Sequence, residues 1–256
     1  MMRFASLGSG SRGNALVVEV AGTRLLLDCG SGAGETAARL ARLGLAPDDL
    51  DAVVVTHEHD DHVGGMPRFA RKYAVPVYLT YGTLTALDSE RSAIAEITVI
   101  DSHTRFAVGD IEVCPYPVPH DAREPAQFVF GDGNVSLGVL TDTGSSTPHI
   151  ESMLSGLDAL VLECNHDVDL LANGGYPALL KRRIASRFGH LDNSAAAELV
   201  AKLDCSRLQH FVAAHLSQQN NSPDLARAAA ARALNCAPEW IGVASQDEGF
   251  GWREIV

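Results

Sequence analysis

Apolar positions fall into short runs broken by turns rich in glycine, aspartate and asparagine. RFASLG, NALVVEVA and TRLLLDCG predict strands, the second and third joined as a hairpin through AGT at 21–23. ETAARLARLGL sets Ala38, Leu40, Ala41, Leu43 and Leu45 in one stripe with Gly44 near its end, and predicts a helix. DAVVVT is apolar throughout, which suits a central strand buried on both faces. MPRFARKYA predicts a helix and VPVYLT a strand. Beyond a further helical stretch, ITVI, TRFAVGDIEVCPYPVP and QFVFGDGNVSLGVLTD predict strands, turning at Gly109–Asp110 and over 131–134.

The alternation then changes hand. TPHIESMLSG predicts a helix, DALVLECN a strand, YPALLKRRIASRFG and NSAAAELVAKLD two helices, RLQHFVAAH a strand, SPDLARAAAARALN a helix and EWIGVAS a closing strand. Pro148, Ser194 and Pro223 stand where helices start. No Pro/Gly/Ser-rich linker separates the halves. The expected fold class is therefore α/β: two mixed β-sheets packed face to face with helices on the outer faces, as one domain over 1–256.

Composition narrows the class. Hydrophobic residues make up 46% and charged residues 20% of the 256, an ordinary globular balance, and no apolar run is long enough to span a bilayer. A cytoplasmic protein with no membrane partner is expected. Five widely spaced cysteines without a C-x-x-C argue against a disulfide framework or a thiolate zinc knuckle. The formal net charge of −12 argues against a broad nucleic-acid surface, but leaves room for a narrow phosphate site.

Candidate chemistry concentrates in VVVTHEHDDHVGG. His57, His59, Asp61 and His62 follow a predicted central strand, and three of the chain's ten histidines fall within six positions. Alternate residues of an extended loop project to one side, so His57 and His59 suit one metal while Asp61 and His62 turn toward a second. Imidazole with carboxylate suits Zn²⁺, Mn²⁺ or Fe²⁺. Two metals need more ligands than one loop holds. His120, Asp142 and His215 each follow a later predicted strand, the position a shared active-site edge requires.

In order, LLLDCG, THEHDDH, PHD, TDTG and AAHLS resemble the five motifs of the metallo-β-lactamase superfamily, covering the chain from about Asp28 to His215. The resemblance implies a four-layer αβ/βα sandwich with a di-metal site at one edge. It implies that His57, His59 and His120 hold one metal, that Asp61, His62 and His215 hold the other, that Asp142 bridges them and that Asp28 orients a ligand. The implied cofactors are two divalent metal ions, Zn or Mn. An aspartate rather than a cysteine in TDTG favours phosphodiesterases, nucleases, thioesterases and lactonases, in which a metal-bridging hydroxide is the nucleophile.

Four stretches lean toward phosphodiesters. LGSGSRGNA, with Ser9, Ser11 and Asn14, is either a phosphate nest or a tight loop. VLECNHD brings Glu163 and His166, and GHLDN brings His190 and Asn193; Glu163 with His190 is the candidate proton-donating pair and His166 the alternative donor. In HLSQQNN, Ser217, Asn220 and Asn221 either touch substrate or cap the next helix. With Asp61 these make the candidate catalytic set Asp61, Glu163, His166 and His190. The same stretches are similar to the YycJ (WalJ)-type family, which implies 5′→3′ exonuclease activity on single-stranded DNA or duplex ends. The chain departs from that pattern at Asp192, where GHLSN reads GHLDN. The basic run KRRIASR either guides a DNA backbone or forms a solvated helix face. A small-molecule hydrolase acting on a cyclic phosphodiester, thioester or lactone is the alternative, and the oligomeric state stays open, a homodimer among the options.

Overall fold

The structure, a computed structural model, describes residues 1–87, 92 and 94–256. Strands β1 (Met2–Gly8), β2 (Ala15–Val20), β3 (Thr23–Leu27), β4 (Ala52–Val54), β5 (Val77–Thr80) and β6 (Ile97–Ile100) belong to the first sheet. They are joined there by β14 (Phe250–Ile255), in the order β14-β1-β2-β3-β4-β5-β6. The second sheet holds β7 (Phe106–Val108), β8 (Ile111–Pro117), β9 (Ala126–Gly131), β10 (Ser136–Leu140), β11 (Ala159–Glu163), β12 (His210–Ala214) and β13 (Gly242–Val243), in the order β13-β12-β11-β10-β9-β8-β7. Each sheet is antiparallel on one side and parallel on the other, with the change at β3 and at β10.

Period-two burial explains why the strands look uniformly apolar. In β4, Ala52 and Val54 face the other sheet while Val53 points outward. In β12, Val212 and Ala214 face inward while Phe211 and Ala213 point outward. The inner core joins Phe4, Val18, Leu25 and Val54 to Phe128, Phe130, Val139 and Val161, so the sheets pack face to face. Helices α1 (Ala33–Arg42) and α3 (Met66–Tyr73) cover the first sheet; α5 (Pro148–Leu154), α8 (Asn193–Val200) and α9 (Pro223–Leu234) cover the second. The four-layer αβ/βα arrangement is the one expected. No helix among the described residues is long and apolar enough to cross a membrane.

Several details differ from expectation. The closing segment EWIGVAS yields only the two-residue β13, because Pro238–Trp240 curls into a 3₁₀ turn. Strand β14 was unforeseen: it lies at a sheet edge, and its Gly, Arg and Glu leave no alternating apolar pattern. Three short helices were also unforeseen as separate elements: α2 (Asp60–Val63), α4 (Tyr81–Ala86) within the expected helical stretch, and α6 (Val168–Asn173). Residues 88–91 and 93 of that stretch lie outside the described residues. Helix α7 (Ala178–Ile184) forms where expected, but buries none of its residues. Asp192 caps α8, accepting the amides of Ser194 and Ala195, and Ser194 stands in the first turn, at the helix start where the sequence places it.

Candidate metal centre

The sequence-predicted site residues, the metal ligands and Asp28, follow the C-terminal ends of strands from both sheets. Asp28 follows β3, His57 to His62 follow β4, His120 follows β8, Asp142 follows β10 and His215 follows β12. Three of them, Asp28 (φ 61), Asp142 (φ 53) and His215 (φ 54), hold left-handed backbone, which turns each side chain back over the sheet edge at a cost in strain. The HEH segment is extended, and the single turn of α2 then swings Asp61 and His62 inward. Gly30 supports that turn, since a Cβ there would collide with the Asp61 carbonyl.

His57 Nε2 lies 3.0 Å from His59 Nδ1, and His120 Nε2 lies 3.2 Å from the same atom. These three imidazoles form one group able to hold a metal ion; Asp61, His62, Asp142 and His215 form a second. His62 Nε2 is 3.0 Å from Asp142 Oδ2, and His215 Nε2 is 3.3 Å from Asp61 Oδ2. Asp142 Oδ1 reaches to 3.9 Å from His120 Nε2, so this carboxylate stands between the groups.

The far side of almost every ring is held. His120 Nδ1 donates to the Gly189 carbonyl (3.1 Å) and His62 Nδ1 to Asp28 Oδ2 (2.8 Å). His57 Nδ1 contacts Thr56 Oγ1 (3.0 Å), whose hydroxyl in turn donates to Asp28 (2.9 Å). His215 Nδ1 donates to Glu163 Oε1 (3.0 Å). In the neutral rings, these bonds leave the inner nitrogen of each imidazole with a lone pair directed into the centre.

Asp142 Oδ2 is buried and has no hydrogen-bond partner while His62 is neutral; only a second proton on His62 Nε2, 3.0 Å away, or a cation in its place would satisfy it. An orphaned carboxylate oxygen among converging lone pairs is what a divalent cation satisfies. The donor set of nitrogen and oxygen fits such an ion.

The electrostatics divide the four rings into two kinds. Burial, with His62 nearby, holds the imidazole of His57 well below its ordinary pKa; burial likewise lowers His120, so both stay neutral. Burial opposes charge at His62 and His215, but the surrounding carboxylates prevail. Asp142, Asp28 and Asp61 push His62 well up, and Asp142, Asp61 and Glu163 push His215 to about 10. Asp61, opposed by burial but facing His62 and His215, drops to about 2.

Glu163, at the end of β11 and fully buried, gathers the remaining groups. Its Oε1 accepts from His190 Nδ1 (2.8 Å) as well as from His215, and its Oε2 accepts the amides of Thr143 and Leu191 (3.0 and 3.1 Å). Burial opposes that charge, but His190 carries it to about 2, while His190 itself rises, against burial, beside Glu163. His190 Nδ1 is also 3.5 Å from Asp142 Oδ1. Gly144 of TDTG packs against the backbone of 187–189, where a Cβ would not fit, and so seats the loop that carries His190.

A cleft of about 400 Å³ opens over these groups. Ser11 and Ser217 line it, with Asp61, Asp142, His190 and His215. Ser9 and Asn14 lie beneath: Ser9 Oγ accepts the His215 amide (2.9 Å), and Asn14 Nδ2 reaches Asp61 Oδ2 (3.3 Å). The structure does not bring His166, Asn193 or Asn221 to the lining. His166 is buried against Asn165, and Asn193 and Asn221 bond each other through their amides (2.9 and 3.0 Å). Asn220 is buried and contacts Ser217. Sequence reasoning missed Thr56, Asn165, Tyr176 and Asp121 as parts of the site; only Asp121, next to His120 in the PHD motif, carried a local signal.

A mixed-sheet sandwich with such an edge defines a metal-dependent hydrolase of the metallo-β-lactamase fold. Residues 23–215 match the family model described as "Beta-lactamase superfamily domain". The chain is 37% identical over 259 residues to the exodeoxyribonuclease YycJ of Bacillus anthracis, covering 99% of this chain and 92% of that protein. It is 32% identical over 245 residues to the exodeoxyribonuclease WalJ of Streptococcus pneumoniae, covering 94% and 91%. Among solved structures, the metallo-β-lactamase fold protein YhfI of Bacillus subtilis matches with a TM-score of 0.75 at 18% identity, covering 99% of this chain and 100% of that one. The chain belongs to the metallo-β-lactamase superfamily and, within it, to the YycJ/WalJ family.

Proposed function

We propose that this hydrolase is a 5′→3′ exonuclease acting on DNA, single-stranded or at duplex ends, in the cytoplasm. The observation that carries the phosphodiester chemistry is the Glu163–His190 pair beside Asp142. A leaving sugar oxygen needs a proton, and an imidazole held at Nδ1 by a buried carboxylate keeps one available at neutral pH. The substrate class follows the relatives YycJ and WalJ, both named exodeoxyribonucleases.

His57, His59 and His120 would hold one divalent cation and Asp61, His62 and His215 a second, with Asp142 shared; zinc and manganese both suit this donor set. When bound, such a pair supplies a water-derived nucleophile at neutral pH and offsets charge on the phosphoryl oxygens. The protein's own residues do the rest. Asp28 and Thr56 fix the tautomers of His62 and His57. Asn14 steadies Asp61, and Ser9 steadies the backbone of His215. His190 faces the cleft and passes its Nε2 proton to the departing oxygen. Ser11 and Ser217 border the same space as substrate contacts.

A second reading, hydrolysis of a small ester, thioester or cyclic phosphodiester, is favoured by the net charge of −12, which repels long polyanions. Oligonucleotides labelled at either end, run beside bis-p-nitrophenyl phosphate and S-lactoylglutathione, separate the two. Release of labelled mononucleotide from the 5′ end, abolished by EDTA, is expected. Turnover of the small substrates alone replaces the nuclease reading with the second one.

A further inference from the structure

Helix α7 stands over the cleft without burying any residue in the core, yet Leu180, Arg183 and Ile184 line the cleft wall. A helix turn that buries nothing contributes little to folding, so its residues are free to serve the cleft. Arg183 is the one guanidinium or ammonium group in that lining among the described residues. Its Nε donates to Asp121 Oδ2 at 2.6 Å, and the other oxygen of Asp121 lies 3.6 Å from His120 Nε2. A single carboxylate therefore separates the guanidinium from the imidazoles. Only Nε is engaged; the two terminal nitrogens make no hydrogen bond among the described residues. The pair is half exposed, at 59% and 32% for the two side chains, so it aims the fork without contributing much stability. Arg182 and Arg187 stand exposed on the same segment.

We propose that Arg183, aimed by Asp121, holds with its free terminal nitrogens the phosphate next to the scissile one, and thereby makes the site select polynucleotides over small phosphodiesters. This rests on the nuclease reading above. A planar fork fixed at Nε presents its remaining donors to two oxygens of one phosphate, which a lysine ammonium cannot reproduce. It also answers how a chain of net charge −12 accepts a polyanion: the positive charge is local to one helix at the cleft mouth.

The test compares metal-loaded wild type with Arg183→Gln and Arg183→Lys on an oligonucleotide and on bis-p-nitrophenyl phosphate. The ratio of kcat/KM for DNA to that for the small diester is expected to fall about tenfold in Arg183→Gln, with partial recovery in Arg183→Lys. The salt slope of oligonucleotide binding, followed by fluorescence anisotropy, should drop by about one. An oligonucleotide whose second linkage is a neutral methylphosphonate should cost wild type a similar factor and Arg183→Gln nothing further. An unchanged ratio, or a methylphosphonate penalty equal in wild type and variant, overturns the proposal. A wild type that cleaves the small diester but neither binds nor cleaves DNA overturns the nuclease reading itself, and that outcome is visible before any variant is compared.

Discussion

Glu163 receives the Nδ1 proton of His190 at 2.8 Å, and the same oxygen also receives that of His215 at 3.0 Å. One buried carboxylate thus links the proposed proton donor to a residue of the candidate metal centre. His190→Ala should lower kcat by about 10²–10⁴-fold while leaving metal content unchanged, as elemental analysis would check. A general acid works while protonated, so activity should fall as pH rises through the elevated pKa of His190. Glu163→Gln removes what holds that pKa up and should move the alkaline limb of the pH–rate profile to lower pH. An unmoved limb would assign the proton to another group.

Asp142 sits at φ 53, a backbone conformation that asparagine adopts at less cost than alanine. Asp142→Asn therefore removes the shared charge with little added strain. Metal bound per chain should drop and turnover should fall below detection, with the far-ultraviolet circular dichroism unchanged. Full activity in this variant would rule out a bridging role.

Asp28 does not line the cleft over the site, yet it holds His62 directly and His57 through Thr56. Asp28→Asn, which suits the left-handed backbone at φ 61, is expected to weaken metal affinity by about 10–100-fold, measured by competition with a chromogenic chelator. Undiminished affinity would separate Asp28 from the metal centre.

In metal-free protein, burial opposes a charge on His62 and His215, but their carboxylate neighbours keep both protonated at neutral pH. Cation binding must then expel protons. Calorimetric heats should vary with the ionisation enthalpy of the buffer, and a buffer-independent heat would contradict this. The sign for stability follows. The folded pKa of His215, about 10, lies above its ordinary 6.5, so its contribution is complete below about pH 6.5 and is lost as pH rises toward 10. The Tm of EDTA-treated protein should fall between pH 7 and pH 9, and by less when metal is present.

Much of this was legible in the residues themselves, for physical reasons. The cluster from His57 to His62 stands out because polar groups rarely crowd the end of a buried strand, and His120, Asp142 and His215 because each ends a strand as well. The sandwich follows from apolar runs too short for anything but strands. What escaped depends on long-range contact. Thr56 looks like the last residue of a strand until its hydroxyl is seen between Asp28 and His57. Ser9 and Asn14 read as substrate contacts in a phosphate nest or as a tight loop, but the chain folds them under Asp61 and His215. Asn193 and Asn221, distant in sequence, spend their amides on each other. Strand β14 acquires its partner only when the chain returns to Met2 at Ile255.

The side chains that converge on the cleft come from the ends of two separate sheets: His57, His59, Asp61 and His62 from one, His120, Asp142 and His215 from the other. A divalent ion lodged there is a rivet through the seam. Neither layer alone supplies either full donor set, so a firmly held ion requires that the halves have docked, and slow ion release becomes a clock for how often the sandwich parts.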